Sequence, residues 1–425
     1  MLVRKGLGIM VKALITSIVA LMIIANMMLP SIYTDAHSTT QPYTSLEKVK
    51  LYNVVINASQ YTGETDTERL QKALDAVPPE GAVVLISKGV WLAYNLTAKS
   101  KTIIMGMDGA VIMRPNNTEA PFIIFENRSN FAVINLMFDG QGVPEATGIL
   151  MVGSKQFQVI NNTFINVKRN AIRITGNCEN FTVRNNRFIG CDKATICVFG
   201  SPGSRDIKSF IIEDNLLING SDNGKIGLAF AENGTIINNV IVDGEYGIGT
   251  RCVSNTLIIR NRIENCSSYG IYLGTQLGDP GSYSIEIESN VVTNCKVGVS
   301  RFYGSNPIYN VSLRDNCFEF NQLWDVYADF PATFINNTIT SAEKLKIVNC
   351  AVKFFDNKDI NDQPILPADL NDDWKVDMWD VGIAARIYGA SKETENWDSK
   401  VDVIEDGVID MKDIAFITAH YGIHV

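Results

Sequence analysis

The chain has 425 residues, 46% hydrophobic and 20% charged, a composition that fits a folded protein of two or three domains and excludes a disordered one. Its net charge of −9 gathers at one end, where residues 366–425 hold thirteen Asp and Glu against five Lys and Arg. The remainder is close to neutral, which excludes a nucleic-acid-binding surface.

Arg4, Lys5 and Lys12 precede an uncharged stretch from Ala13 to Tyr33 that is strongly apolar as far as Leu29. Residues 1–36 therefore read as a signal peptide cut after Thr34-Asp35-Ala36, or as an uncleaved anchor, because an apolar run of about 17 residues lies between the two lengths. In both cases the rest of the chain is expected outside the cytoplasm, secreted or at the cell surface, touching a membrane only through this segment.

Thr65–Val77 reads as a short amphipathic helix. Thr65 and Glu68 have capping-box spacing, Leu70, Ala73, Leu74 and Val77 share one face, and Pro78-Pro79 stops it. Its expected task is to plug the open N-terminal end of the repeat array that begins downstream of it.

A register of apolar-x-apolar-x-Asn-Asn-x-apolar recurs at Phe157, Phe181, Phe210 and Gly234, and more loosely at Thr256, Ile285, Val311 and Ala332. Its second Asn falls at Asn162, Asn186, Asn215, Asn239, Asn261, Asn290, Asn316 and Asn337, spaced by 24, 29, 24, 22, 29, 26 and 21 residues. Such a period means a solenoid, and short alternating runs of Ile, Val and Phe between Gly and Asn make its unit a coil of strands. A second strand follows each Asn turn, as at Ala171, Ala194, Gly227, Gly247, Gly270, Gly298 and Asp325. The repeated Asn can form a ladder of side-chain amides and tolerates left-handed backbone angles, so its role is structural.

VINASQYTGETDTERLQKALDAVPPEGAVVLISKGVW resembles the opening segment of the pectin-lyase-like β-helix superfamily, and FDGQG at Phe138 is similar to a coil motif common there. The resemblance covers roughly residues 52–350. It implies a mainly β fold, a right-handed parallel β-helix over residues 40–350.

Eleven Asn-x-Ser/Thr sequons suit a glycosylated surface protein, but an Asn-rich repeat running into Thr-bearing strands generates them by itself. Eight cysteines lie in the solenoid. Cys191, Cys266 and Cys295 share one column, so a Cys266–Cys295 disulfide and a ladder of buried thiols are both open.

A linker, 351–366, leads to a tail, 367–425, in which ADLNDDWKVDMWDVGIAARIYG is echoed 33 positions later by VDVIEDGVIDMKDIAFITAHYG. Asp369, Asn371, Asp373, Asp377 and Asp380 stand at positions 1, 3, 5, 9 and 12 of the first loop, with the Lys375 carbonyl at 7. Asp402, Asp406, Asp410, Asp413 and the Val408 carbonyl repeat this in the second, with Gly407 at the tight turn. Hard oxygens at this spacing are what Ca²⁺ requires. The pair resembles a type I dockerin, a small α-helical calcium-loop module related to the EF-hand, and that resemblance implies a cohesin-type protein partner. Trp374 in place of the usual turn glycine and Ile404 at position 3 depart from the pattern, and the module has the alternative of capping its own β-helix.

The three histidines, His37, His420 and His424, all lie outside the β-helix body, which excludes Ser-His-Asp, Cys-His and His-metal chemistry there. The histidine-bearing motifs of polygalacturonases and of alginate epimerases of this fold are missing too. What remains is elimination, in which Arg, Lys or Tyr removes a proton beside a uronic carboxylate while cations neutralise the enolate. Alternation in the second strand points Arg173, Arg251, Tyr272, Tyr327 and Asp329 outward, with Arg301 nearby. This leaves two functions: a polysaccharide lyase or, less favoured, a glycoside hydrolase acting on a polysaccharide and placed by its tail; or a non-catalytic surface module that binds glycans.

Overall fold

The computed structural model describes residues 52–115, 118–220, 224–275, 278, 280–301, 304, 306–348, 352–366, 368–371, 373 and 375–422. The apolar N-terminal run lies outside these residues, and none of the described helices is long and apolar enough to cross a membrane.

The chain winds into a right-handed parallel β-solenoid of about 12 turns. Each full coil contributes three strands rather than the two expected. In one of them Lys155–Ile160 joins the first sheet, Thr163–Ile165 the second and Ile172–Thr175 the third. The sheets reach 13, 12 and 11 strands, and the strands pair in parallel with their copies in neighbouring coils. The overlooked strand comes directly after the Asn pair. With three residues and one inward side chain, Phe164, it shows no alternation in sequence.

Alternation sets the interior. Phe157 and Val159 are buried while Gln158 and Ile160 are half-buried, and the same positions repeat from coil to coil. Phe131, Phe157, Phe181 and Phe210 stack at 5.0, 4.9 and 5.1 Å between ring centres. The column ends at Gly234 because the Phe210 ring fills the place of a Cβ there.

The Asn pair divides its labour. The first member is left-handed, as at Asn161 (φ 55°), Asn185 (φ 53°) and Asn238 (φ 55°). The second is buried, and its Oδ1 accepts from the backbone N–H of the preceding ladder member at 2.9–3.1 Å at every step from Asn162 to Asn357. Its Nδ2 also donates to a backbone carbonyl of the coil before, as Asn186 does to Val159 at 2.8 Å. The ladder thus runs one coil past the eight expected asparagines. Strands Val352–Phe355 and Lys358–Asp359 add that coil, so the solenoid occupies most of the stretch read as a linker at 351–366.

Both ends are covered. Helix α1, Asp66–Asp75, lies over the first coils with Leu70, Ala73 and Leu74 buried. The Gln71 side chain pairs with both backbone groups of Thr97, at 2.9 and 3.0 Å, and so satisfies the open edge of the third sheet. Thr65 caps the helix by accepting from Glu68 N–H, although Glu68 returns to Glu64 N–H rather than to Thr65. At the far end stand α2, Met378–Arg386, and α3, Met411–Ala419. Their module shares an apolar core with Leu345, Ile347, Val352 and Phe354 of the last coil, and Lys346 forms an ion pair with Glu405.

Candidate functional site

Outward positions of the third sheet place Arg173, Cys197, Gly227, Gly249, Tyr272, Ser300 and Tyr327 in one register column. Arg251 stands two residues further along its strand, in the column of Phe199 and Ala229. These arginines and tyrosines are half-buried, not projecting freely. Neighbouring coils lie about 4.8 Å apart, so the six steps from Arg173 to Tyr327 span about 29 Å. The sequence-derived set therefore separates into two groups.

The first group is cationic and aromatic. Arg169, Arg173 and Arg251 all act electrostatically on Cys197, yet burial outweighs them and pushes its thiol up. That thiol has no neighbouring imidazole, because the described solenoid contains no histidine. The Arg251 guanidinium lies 5.2 Å from the ring centres of both Phe199 and Phe230, which meet edge to face at 5.8 Å. Arg173 donates to Asn170 Oδ1 at 3.2 Å. At the rim, Glu145 bridges Arg169, at 3.7 Å, and Lys193, whose hydrogen bond holds its carboxyl below the usual range; Lys168 pairs with Asp192 at 3.0 Å.

Tyr272 does not project from the sheet. Its ring lies over Gly249 one coil away, where any Cβ would collide with it, and meets Tyr246 edge to face at 4.7 Å. The two hydroxyls share a hydrogen bond, and burial keeps the Tyr246 phenol up and neutral. Tyr269 approaches Tyr272 at 6.2 Å. Tyr246, Tyr269, Cys197, Phe199, Phe230 and Arg169 were missed in the sequence. The available signal was the pair of outward glycines, Gly227 and Gly249, aligned with Tyr272.

The second group lies toward the C-terminal end. Asp329 is raised by burial and held down in part by Arg301, which donates to the Gly304 carbonyl and to the Asn306 carbonyl at 3.0 Å. No carboxylate occupies the register column between Arg173 and Tyr327.

In the tail the two loops fold alike. Asp377 caps α2 through Trp379 N–H at 2.7 Å and Asp410 caps α3 through Lys412 N–H at 2.7 Å. Asp380 and Asp413 reach back to the cap N–H groups, and their other oxygens accept from Leu370 and Ile404. Asp369 accepts from Asp373 N–H, and Asp402 from Asp406 and Gly407 N–H. Asn371 and Asp373 bond within the first loop, Lys375 N–H donates to Asp373 and Val408 N–H to Asp406, and Gly407 takes φ 90°. Among the described residues no three acidic, Cys or His side chains converge in metal-holding geometry; Asp372 and Trp374 lie outside them.

The donor set is nevertheless all hard oxygen, with Asp369, Asp380, Asp402 and Asp413 buried. Burial raises Asp402, and the charges of Asp413 and Asp406 push it further; the lysine paired with this group is Lys412, on Asp406 at 2.5 Å. Crowded, desolvated carboxylates are chemistry that a hard dication relieves. The loops fit calcium in this chemical sense.

The seven described cysteines are free thiols; Cys350 lies outside the described residues. Cys266 and Cys295 are buried within hydrogen-bonding reach of each other. Nine sequon asparagines, Asn95, Asn127, Asn161, Asn180, Asn219, Asn233, Asn265, Asn310 and Asn336, have left-handed backbones. Turn geometry is thus sufficient reason for Asn at each.

A sequence model described as a right handed beta helix region matches residues 203–352. No curated protein sequence matches the chain. Among solved structures it is similar to PfbA, a surface adhesin of Streptococcus pneumoniae, with a TM-score of 0.60 and 13% identity over 72% of this chain and 90% of that one. It is similar to a hyperthermoactive exopolygalacturonase of Thermotoga maritima, with a TM-score of 0.56 and 12% identity over 72% and 93%. It is also similar to the A-module of the mannuronan C-5 epimerase AlgE4 of Azotobacter vinelandii, with a TM-score of 0.52 and 15% identity over 71% and 95%. At these identities the likeness is one of fold: residues 52–359 form the right-handed parallel β-helix that an adhesin and carbohydrate-active enzymes share.

Proposed function

We propose that this chain is an extracellular or surface-held protein that binds an acidic polysaccharide across its third sheet and cleaves it by elimination. The observation that carries this reading is the convergence of Arg169, Arg173 and Arg251 beside the Tyr246–Tyr272 pair. In this reading the arginines neutralise a uronic carboxylate, which makes the adjacent C–H more acidic; Tyr272 takes that proton while passing its own along their hydrogen bond to Tyr246, and Tyr246 gives its proton to the leaving oxygen as the C–O bond breaks. Hydrolysis is less well supported, because it needs two carboxylates about 5–9.5 Å apart and the column between Arg173 and Tyr327 holds none.

Two of the similar folds belong to an exopolygalacturonase and a mannuronan epimerase, which supports a glycan ligand. The apolar run before Leu29 supports export. In this reading the tail is a dockerin-like module that binds Ca²⁺ through the two Asp loops, and the exposed face with Met378, Trp379 and Met411 takes a cohesin-type protein.

The test is incubation of the purified full chain with acidic and neutral polysaccharides, with and without calcium, reading ultraviolet absorbance of new double bonds and release of reducing ends. Absorbance with acidic polymers supports the lyase, and reducing ends without absorbance would replace it with a hydrolase. A second reading rests on the fixed, sheet-hugging Tyr272 and Arg251, which suit a binding platform as well as a reaction centre. Saturable binding without turnover would establish that adhesin-like role.

A further inference from the structure

The last coil ends in three strands whose outer edges have no further coil to pair with: Leu345–Ile347, Val352–Phe355 and Lys358–Asp359. The C-terminal module covers this end, keeping Ile347, Val352 and Phe354 buried. The fit is incomplete, because a cavity of about 300 Å³ remains under the module, lined among others by Leu345, Ile347, Ile365 and Val403.

His420 also sits at this junction. It is 2% exposed, its Nδ1 is 2.7 Å from the Phe416 carbonyl, and its ring lies 4.4 Å from Phe416 on its own helix and 5.9 Å from Phe354 on the last coil. Nδ1 therefore donates, which leaves Nε2 as the basic nitrogen. Nε2 is buried and has no hydrogen-bond partner among the described residues. The charged group that acts on the ring is Lys353, beside Phe354, and it has the sign that opposes an imidazolium.

We propose that His420 is an acid-sensitive latch: its neutral ring seals the C-terminal module onto the last coil, and protonation at Nε2 lets the module lift from the solenoid. A charge formed there would lose its water in an apolar pocket and face Lys353. Cation–π contact with Phe416 and Phe354 offsets only part of that loss, since such a contact is weaker than the penalty for burying an unpaired ion. Released into water, the ring takes its proton at the ordinary histidine value near 6.5, so acid favours the lifted state. If the seated ring takes no proton at pH 5.0, the lifted population rises by at most about 30-fold between pH 7.5 and pH 5.0.

The test is hydrogen exchange by mass spectrometry on the full chain at pH 7.5 and pH 5.0, corrected for intrinsic exchange, in saturating calcium and again in chelator. Both are needed because the loop carboxylates also titrate. The expected result is a 10- to 30-fold loss of protection at pH 5.0 in Val352–Phe355 and α3, with the middle coils unchanged, and no such loss in His420→Gln. An equal acid response in His420→Gln would overturn the latch, as would a flat response in the unmodified chain. Should the variant fail to fold, the His420 ring can be followed by NMR in the unmodified chain. Titration near 6.5 with the module still protected would equally sink the proposal.

Discussion

The solenoid and the C-terminal module handle buried polar groups in opposite ways. In the solenoid's ladder the buried groups are neutral amides, each asparagine serving as donor to one coil and acceptor for another. In the module they are carboxylates, held by backbone N–H groups of their own loops and crowding one another in the second loop. A closed neutral network needs nothing from outside, whereas a set of buried acids with few cations is stable only in proportion to what neutralises it. One region is built to be permanent, the other to respond.

The largest expected effect tests the permanent region. Asn239→Ala removes the acceptor of the Asn215 N–H, one of the two acceptors of Asn215 Nδ2, and a side-chain donor from each of the Ile212 and Ile237 carbonyls. It should cost about 3 kcal/mol in denaturant unfolding, and a loss well under 1 kcal/mol would break the picture of a closed ladder. Calcium tests the responsive region. At a hundredfold excess over its dissociation constant it should add about 2.7 kcal/mol to the module, read as a rise in the module's unfolding temperature that chelator reverses. No rise would reduce the aspartates to helix caps.

Arg251→Ala should weaken binding of an acidic polysaccharide about tenfold, or about 1.4 kcal/mol, most clearly at low salt, while leaving the unfolding midpoint nearly unchanged. Titration calorimetry showing equal losses for neutral polymers would remove the arginine from charge recognition. Asp377→Ala, which deletes one cap of α2, should cost about 1 kcal/mol. If it costs as much as Asn239→Ala, the module is no softer than the solenoid.

The repeat was legible because its chemistry is local: a left-handed turn needs Asn, and the next position needs a side chain able to both donate and accept. The strand Thr163–Ile165 was hidden because three residues cannot show a period. The last coil reads as linker in sequence because Pro364 and its polar neighbours interrupt the pattern, although Val352, Phe354 and Asn357 continue the register. For the candidate site, alternation identified Arg173, Arg251, Tyr272 and Tyr327 as outward. It could not show that Tyr272 lies down on Gly249, since that depends on a residue one coil away. Asp329 and Tyr327 were grouped with the arginines because sequence alone carries no distance along the axis.

The asparagine ladder also has a mechanical consequence. Pulled from its C-terminal end, a solenoid of parallel coils peels one coil at a time, because each ladder step joins only neighbours. The final steps, from Asn337 to Asn357 and from Asn316 to Asn337, are 20 and 21 residues, and the next, from Asn290, is 26. At about 3.4 Å per extended residue, a force trace should show two increments near 70 Å before one near 90 Å. A chain held at a surface by one end would thus yield under load in measured lengths, the shortest first.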